Sequence, residues 1–184
     1  NGTTYESIAG EYQKEYDNMI ALVLENGKIR ELFKTVHKDC ELSFLTLKDN
    51  IGHKAYVRTA IMILLKAIHD VYGKGNVPKV KVEFAIGQGY YCDVRTEEKL
   101  TEQKVKQIAR RMRELVNQDL PVTKKSYPIE EARALFREHK MEDKEKLFRY
   151  RRSSFVNVYG LHGYYDYYSG FMLPSTGYVK DFDL

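Results

Sequence analysis

The chain has 184 residues, 43% hydrophobic and 30% charged, with 4 Pro, 2 Cys and a formal net charge of +4. At roughly 150 residues per domain this length fits one domain or two small ones, with enough core to fold without a disulfide or a metal. The composition excludes a disordered tail, a collagen-like chain and a disulfide-dense scaffold. The best apolar run, residues 60–65, stops at Lys66, short of the roughly 18 residues a membrane helix needs, so no membrane partner is expected. No basic-then-apolar leader opens the sequence, and Cys40 and Cys92 lack a CxxC spacing, so the expected setting is a reducing cytoplasm.

In chain order, Thr3-Thr4-Tyr5-Glu6 fits a capping box with Thr as N-cap and Glu three residues on. Ile8, Tyr12 and Tyr16 then repeat every four residues and predict a short helix with one apolar stripe. A branched run, 20–24, leads through Asn26-Gly27 into a second arm, 28–34; Asn-Gly between apolar runs predicts a hairpin, because both residues tolerate positive φ. Leu42, Phe44, Leu45 and Leu47 predict another strand. Helix, hairpin and strand together suggest a β-grasp-like unit over residues 1–49, with its first strand missing.

The polar, Gly-containing stretch 48–52 predicts a boundary, followed by a second domain over 50–184. Residues 56–72 form the most hydrophobic helix, with Ala60, Ile61, Leu64, Leu65, Ile68 and Val71 on a wide buried face. Residues 79–86 alternate as a strand, and Gly87-Gln88-Gly89 turns them into an antiparallel partner over 90–94. A helix capped by Thr101 should bury Val105, Ile108, Met112 and Leu115. Ser126 or Tyr127 caps the next, with Pro128 in its first turn and Ile129, Ala132, Leu135 and Phe136 inward. A charged helix near 142–150 precedes a strand over 155–159 and a tyrosine-rich end. The predicted class is α+β, with antiparallel strands and helices gathered to one side.

Charge is uneven. Residues 95–152 carry 17 basic and 11 acidic side chains, an excess of six over that stretch. Interleaved charge of this kind is ordinarily the wet face of surface helices; a nucleic-acid partner is the alternative reading. Motifs for catalysis are few. No GxxxxGK followed by Ser or Thr occurs, and Gly73-Lys74-Gly75 and Gly87-Gln88-Gly89 read as turns. His37 and Cys40 are spaced like metal ligands but number only two, and no HExxH exists. His162 and Asp166 offer a base and its orienter for Ser153 or Ser154, without a spacing that enforces the geometry. The terminal tyrosines suit either core packing or base stacking.

Several stretches carry a family resemblance. Tyr90-Tyr91-Cys92-Asp93-Val94, Leu100-Thr101-Glu102, residues 117–121, Glu131-Ala132 and Leu135-Phe136 resemble the second N-terminal domain of threonyl-tRNA synthetases. Residues 2–47 look like the small TGS domain that precedes it there. Residues 171–178, then Phe182-Asp183-Leu184, with residues 64–67, are similar to the N-terminal half of bacterial uridine-kinase-like proteins. That second resemblance implies an accessory module without chemistry of its own. It also implies a P-loop kinase domain downstream that would supply ATP and Mg sites which this segment lacks.

The synthetase resemblance implies an editing site built from HxxxH and CxxxH pairs. Their positions fall on Arg58 and Met62, and on Tyr168 and Met172, so all four side chains with metal-binding or basic chemistry are replaced. His53, five residues before Arg58, does not restore the pair. What the resemblance leaves is a cleft formed by Arg58, Met62, Tyr91, Tyr168, Ser169, Met172 and Tyr178, suited to a small anion, with no resident metal. An aminoacyl-tRNA deacylase using His53, His162 and Asp166, and a tRNA-binding module, are the alternative functions.

Overall fold

A computed structural model describes residues 2–73, 78–87, 89–96, 99–139, 141–149 and 153–184. Lys74, Gly75 and Gln88 of the two glycine turns, and Tyr150 and Arg152 at the end of the basic stretch, lie outside them. The architecture is α+β, as expected: small antiparallel sheets with five helices of eight residues or more among the described residues.

Helix α1 (Tyr5–Tyr12) is capped by Thr4, whose hydroxyl accepts from Ser7 N at 3.2 Å, one residue later than the capping box suggested. Glu6 is drawn away to Tyr178. The buried face is Tyr5 and Ala9, while Tyr12 on the expected stripe is exposed. Strands β1 (Ile20–Glu25) and β2 (Lys28–Glu31) meet through Asn26 and Gly27, whose φ values of 48° and 75° are those the turn requires. β3 (Leu42–Thr46) pairs with the other edge of β1, giving the antiparallel order β2-β1-β3.

Helix α2 (Asn50–Tyr72) begins six residues earlier than its apolar periodicity showed, inside the stretch read as a boundary. The reason is Gly52: a Cβ there would sit 2.0 Å from the Thr46 carbonyl oxygen, so only glycine lets the first turn pack on the end of β3. α2 runs through the largest core. Its Met62, Ile63, Ala67 and Ile68 pack with Ala21 and Leu22 of β1, so a continuous core spans residue 49.

β4 (Lys79–Ile86) and β5 (Gly89–Arg95) form a separate antiparallel hairpin. Helix α3 (Glu102–Asn117), capped by the Thr101 hydroxyl, buries Ile108, Met112 and Leu115 beside α2. Next comes β6 (Thr123–Pro128), a strand where the sequence suggested only a helix cap. Helix α4 (Ile129–Glu138) follows, with Pro128 itself at the N-cap, and then α5 (Glu142–Arg149). β7 (Phe155–Leu161) and β8 (Tyr164–Asp166) complete the sheet β6-β7-β8. β7 alternates as a strand buried on both faces must: Val156 and Val158 join Ala132, Phe136 and Phe148 of α4 and α5, and Tyr159 and Leu161 join the α2 core.

Residues 167–184 carry a single helical turn at Thr176–Tyr178 but cross the whole molecule. Thr59 Oγ1 accepts from Leu173 N at 2.9 Å and donates to Ala55 O at 2.8 Å. Thr176 Oγ1 donates to Leu115 O at 2.6 Å and accepts from Leu120 N at 2.8 Å. Asp119 accepts from the Ser175 hydroxyl and from Gly177 N. No helix among the described residues is long and apolar enough to cross a membrane.

Candidate functional site

The α2 helix and the 168–172 segment do meet. The Arg58 guanidinium lies flat on the Gly170–Phe171 backbone: Nη1 is 3.5 Å from Phe171 O, and a Cβ at Gly170 would fall 2.5 Å from Arg58 Cζ. Met62 and Met172 are fully buried in the α2 core.

Tyr168 packs edge-on against Tyr159, with ring centroids 6.1 Å apart. Its hydroxyl is buried without a hydrogen bond of good geometry among the described residues. That burial, with the Asp166 charge nearby, holds its pKa well above the ordinary phenol value. Ser169 is exposed beside it.

Two residues of the expected cleft stand elsewhere. Tyr91 is 49% exposed on the β4–β5 hairpin and stacks on Phe84 at 5.4 Å, because the strand pairing sets it opposite that residue. Tyr178 donates to Glu6 Oε1 at 3.1 Å and so ties the C-terminal segment to α1.

The residues of the nucleophilic alternative are each engaged separately. His162, at φ 44°, is an exposed turn residue between β7 and β8. Asp166 is 2% exposed and paired with Lys144 at 3.0 Å. Ser153 donates to the Phe155 carbonyl close by in the chain. His53 is exposed on the first turns of α2, and His37 contacts Thr35. Among the described residues no three His, Cys, Asp or Glu side chains cluster as a metal would require.

A cleft of about 460 Å³ opens on the outer side of the 167–171 segment, lined by Lys124, Asn157, Tyr167, Tyr168, Ser169 and Phe171. Its organising residue is one that sequence reasoning missed. Lys124 Nζ donates to both oxygens of Glu31 at 3.1 and 3.0 Å, and lies 5.1 Å from the Tyr159 ring centroid and 5.9 Å from that of Phe171. Glu31 is 3% exposed and is also hydrogen-bonded by the Tyr159 hydroxyl, which lies close to Gly170 O as well. Burial first, then the bond to Glu31, raises the Tyr159 pKa far above the usual phenol range, so it remains a neutral donor. Lys124 and Glu31 thus form a largely buried ion pair, and Arg58 lies against the neighbouring Gly170–Phe171 backbone. The signal for Lys124 is weak in sequence, since its partner lies 93 residues away.

No protein-family model matches the chain. Among curated relatives, a threonine–tRNA ligase from Thermotoga maritima is 35% identical over 162 residues, which make up 86% of this chain and 24% of that protein. Its counterpart from Clostridium kluyveri is 31% identical over 158 residues, 84% of this chain and 24% of that protein. Threonine–tRNA ligase 1 of Bacillus subtilis is 29% identical over 188 residues, 100% of this chain and 28% of that protein. These relatives support the synthetase resemblance and lend none to a uridine-kinase parent. The chain is related to the threonyl-tRNA synthetases along a segment that spans only 24–28% of the length of these three relatives.

Proposed function

We propose that the chain is a synthetase-related recognition module that binds a small anionic ligand and does not hydrolyse it. The ligand is of the kind found at the end of an aminoacylated or phosphorylated nucleotide. The observation that carries this reading is the Lys124 cleft: one ammonium held between two aromatic rings, with Asn157, Ser169 and Tyr168 at its rim. The cation serves a phosphate or carboxylate, and the Tyr167 and Phe171 rings that line the cleft serve a planar group. Behind it, Met62 and Met172 belong to the core rather than to the cleft, so a general base or a ligand set is not supplied from the positions the resemblance names. In this reading residues 1–49 are a TGS-like unit and residues 50–184 an editing-domain-like unit.

The test is a thermal-shift and calorimetric screen of nucleotides, amino acids and their phosphorylated forms. Binding that weakens in Asn157→Ala and Ser169→Ala, both exposed positions, supports the reading. Absence of any stabilising anion overturns it.

A second reading, an aminoacyl-tRNA deacylase, is favoured by the relatives themselves, which are threonine–tRNA ligases by name. Incubation with mischarged threonine-specific tRNA decides between the two. Hydrolysis together with about one equivalent of bound zinc establishes the deacylase; an intact ester removes it and leaves the recognition module to the binding screen. A downstream P-loop kinase using ATP and Mg, and RNA contact through the 95–152 stretch, are separate proposals. The first is tested by whether the parent reading frame continues into a strand followed by GxxxxGK.

A further inference from the structure

Another hollow lies away from the Lys124 cleft, between α4 and α5. It measures about 480 Å³ and is lined by Arg133, Arg137, Glu142, Glu145, Lys146 and Arg149. These positions recur every three or four residues on each helix, so the helices turn one charged face toward each other.

One ion pair suffices to clasp the two helices. Arg133 Nε and Nη2 both donate to Glu145 Oε1, at 3.1 and 2.7 Å, and both side chains are largely buried. Arg137 and Arg149 add nothing comparable. They stand 3.9 and 3.7 Å from the same carboxylate, beyond hydrogen-bond distance, with side chains 66% and 54% exposed. Lys146 has no ion-pair partner among the described residues. Four cations therefore share the hollow with Glu142 and Glu145; Arg133 is also held by both oxygens of Glu130 at 3.0 Å, and the other three cations have donors to spare.

The far side of the helix pair is anchored by Ala132, Phe136 and Phe148 against β7, with the two phenyl rings stacked at 5.5 Å. The backbone that carries the cationic face is thus fixed, so binding need order only the side chains. A single carboxylate entering here would only duplicate Glu145. A group with several charged oxygens would engage Arg137, Lys146 and Arg149 at once, and guanidinium forks match phosphate geometry.

We infer that the α4–α5 hollow is a binding site for a compact polyanion of phosphate type, separate from the Lys124 cleft. Its volume is that of a small-ligand site, roughly 300–1,000 Å³ in general. The same phosphate chemistry is offered by a free polyphosphate compound and by a nucleic-acid backbone, and the two arms of the experiment separate them.

Inorganic pyrophosphate is the probe, titrated calorimetrically at low ionic strength. The expected result is saturable binding at one site. The double variant Arg137→Gln/Arg149→Gln should weaken it at least tenfold, or about 1.4 kcal/mol. Both arginines are exposed, so the variant keeps its fold, which circular dichroism checks. Lys106→Gln, an exposed charge on α3, should leave binding unchanged and so separates a site from bulk charge. No saturable binding, or equal binding by the double variant, overturns the inference. In a second arm, a single-stranded RNA oligomer is added. Competition by pyrophosphate for the oligomer's site supports the inference, whereas RNA binding without any pyrophosphate binding overturns it.

Discussion

The C-terminal seam and the β4–β5 hairpin are held together in opposite ways. In the seam, buried polar atoms find partners far away in the chain: Thr59 with Leu173, Thr176 with Leu115 and Leu120, Asp119 with Ser175. In the hairpin, partners are near neighbours: Lys81 with Glu83, Arg95 with Asp93, Phe84 with Tyr91 across the ladder. A buried polar group left unpaired costs about 1–3 kcal/mol, whereas an exposed ion pair is worth about 0–1 kcal/mol. The stretches that carry the synthetase and kinase resemblances, 117–121 and 171–178, lie in contact inside the seam. Their likeness therefore specifies how the chain closes on itself, and chemistry has to be sought in the cleft beside it.

The sharpest way to break this comparison is to hollow out the seam. Met62→Ala or Met172→Ala removes a fully buried side chain beside Leu173 and should cost about 2–5 kcal/mol in denaturant unfolding. A loss under 1 kcal/mol would mean that the space is an open pocket rather than packed core. Next in size, Thr59→Val and Thr176→Val keep the volume but orphan Leu173 N and Leu120 N respectively. Each should lose about 1–3 kcal/mol, while Thr→Ser at the same sites should recover most of it.

What was legible in the sequence follows the same division. Local rules located the Asn26–Gly27 hairpin, the Thr101 cap and the Ile108–Met112–Leu115 face, because turn chemistry and helical period act within a few residues. β6 escaped notice because Thr-Lys-Lys-Ser-Tyr-Pro is polar; it is an edge strand, and its pairing with β7 comes from 32 residues further on. The resemblance set Arg58 and the 168–172 segment across a cleft, whereas the guanidinium packs directly on the Gly170–Phe171 backbone. Lys124, Glu31 and Tyr159 were not foreseen, since nothing near any of them in the chain announces the other two. Tyr91 was misplaced because adjacency to a turn says nothing about which face its strand presents.

Between the two regions in strength stands the α2–α3 bridge. Asp70 accepts from Lys66 at 2.6 Å and from Arg111 at 3.0 Å. Burial pushes its carboxyl pKa up, but the two cations outweigh it and leave the value below the ordinary 3.8. A depressed folded value means that the stabilisation is present above pH 3.8 and is lost as pH falls through the lower folded value. Asp70→Asn should cost about 1–2 kcal/mol at neutral pH, since it also leaves the largely buried Lys66 without its counter-ion. The gap between variant and wild type should close below pH 3.8, and a gap that persists there would assign the loss to packing.

The smallest effect is expected in the hairpin. Phe84 and Tyr91 are 58% and 49% exposed, and their stacked rings touch across the ladder rather than the core. A cross-strand aromatic pair contributes about 0.2–1 kcal/mol, and a two-stranded hairpin has little stability of its own to pass on. Phe84→Ala, Tyr91→Ala and the double variant should therefore each lower global stability by less than about 1 kcal/mol. The pair should also be coupled: the double variant should cost no more than the worse single one, because each change already breaks the same contact. Seam variants such as Met62→Ala with Thr176→Val would instead accumulate losses. Hydrogen exchange reads the same difference directly, with hairpin amides opening at a fraction of the global free energy and the Leu173 and Leu120 amides exchanging only on full unfolding. Hairpin amides as protected as those of the seam would show that this arm is fastened to the core by contacts beyond Val80 and Cys92, and the contrast between the two regions would collapse.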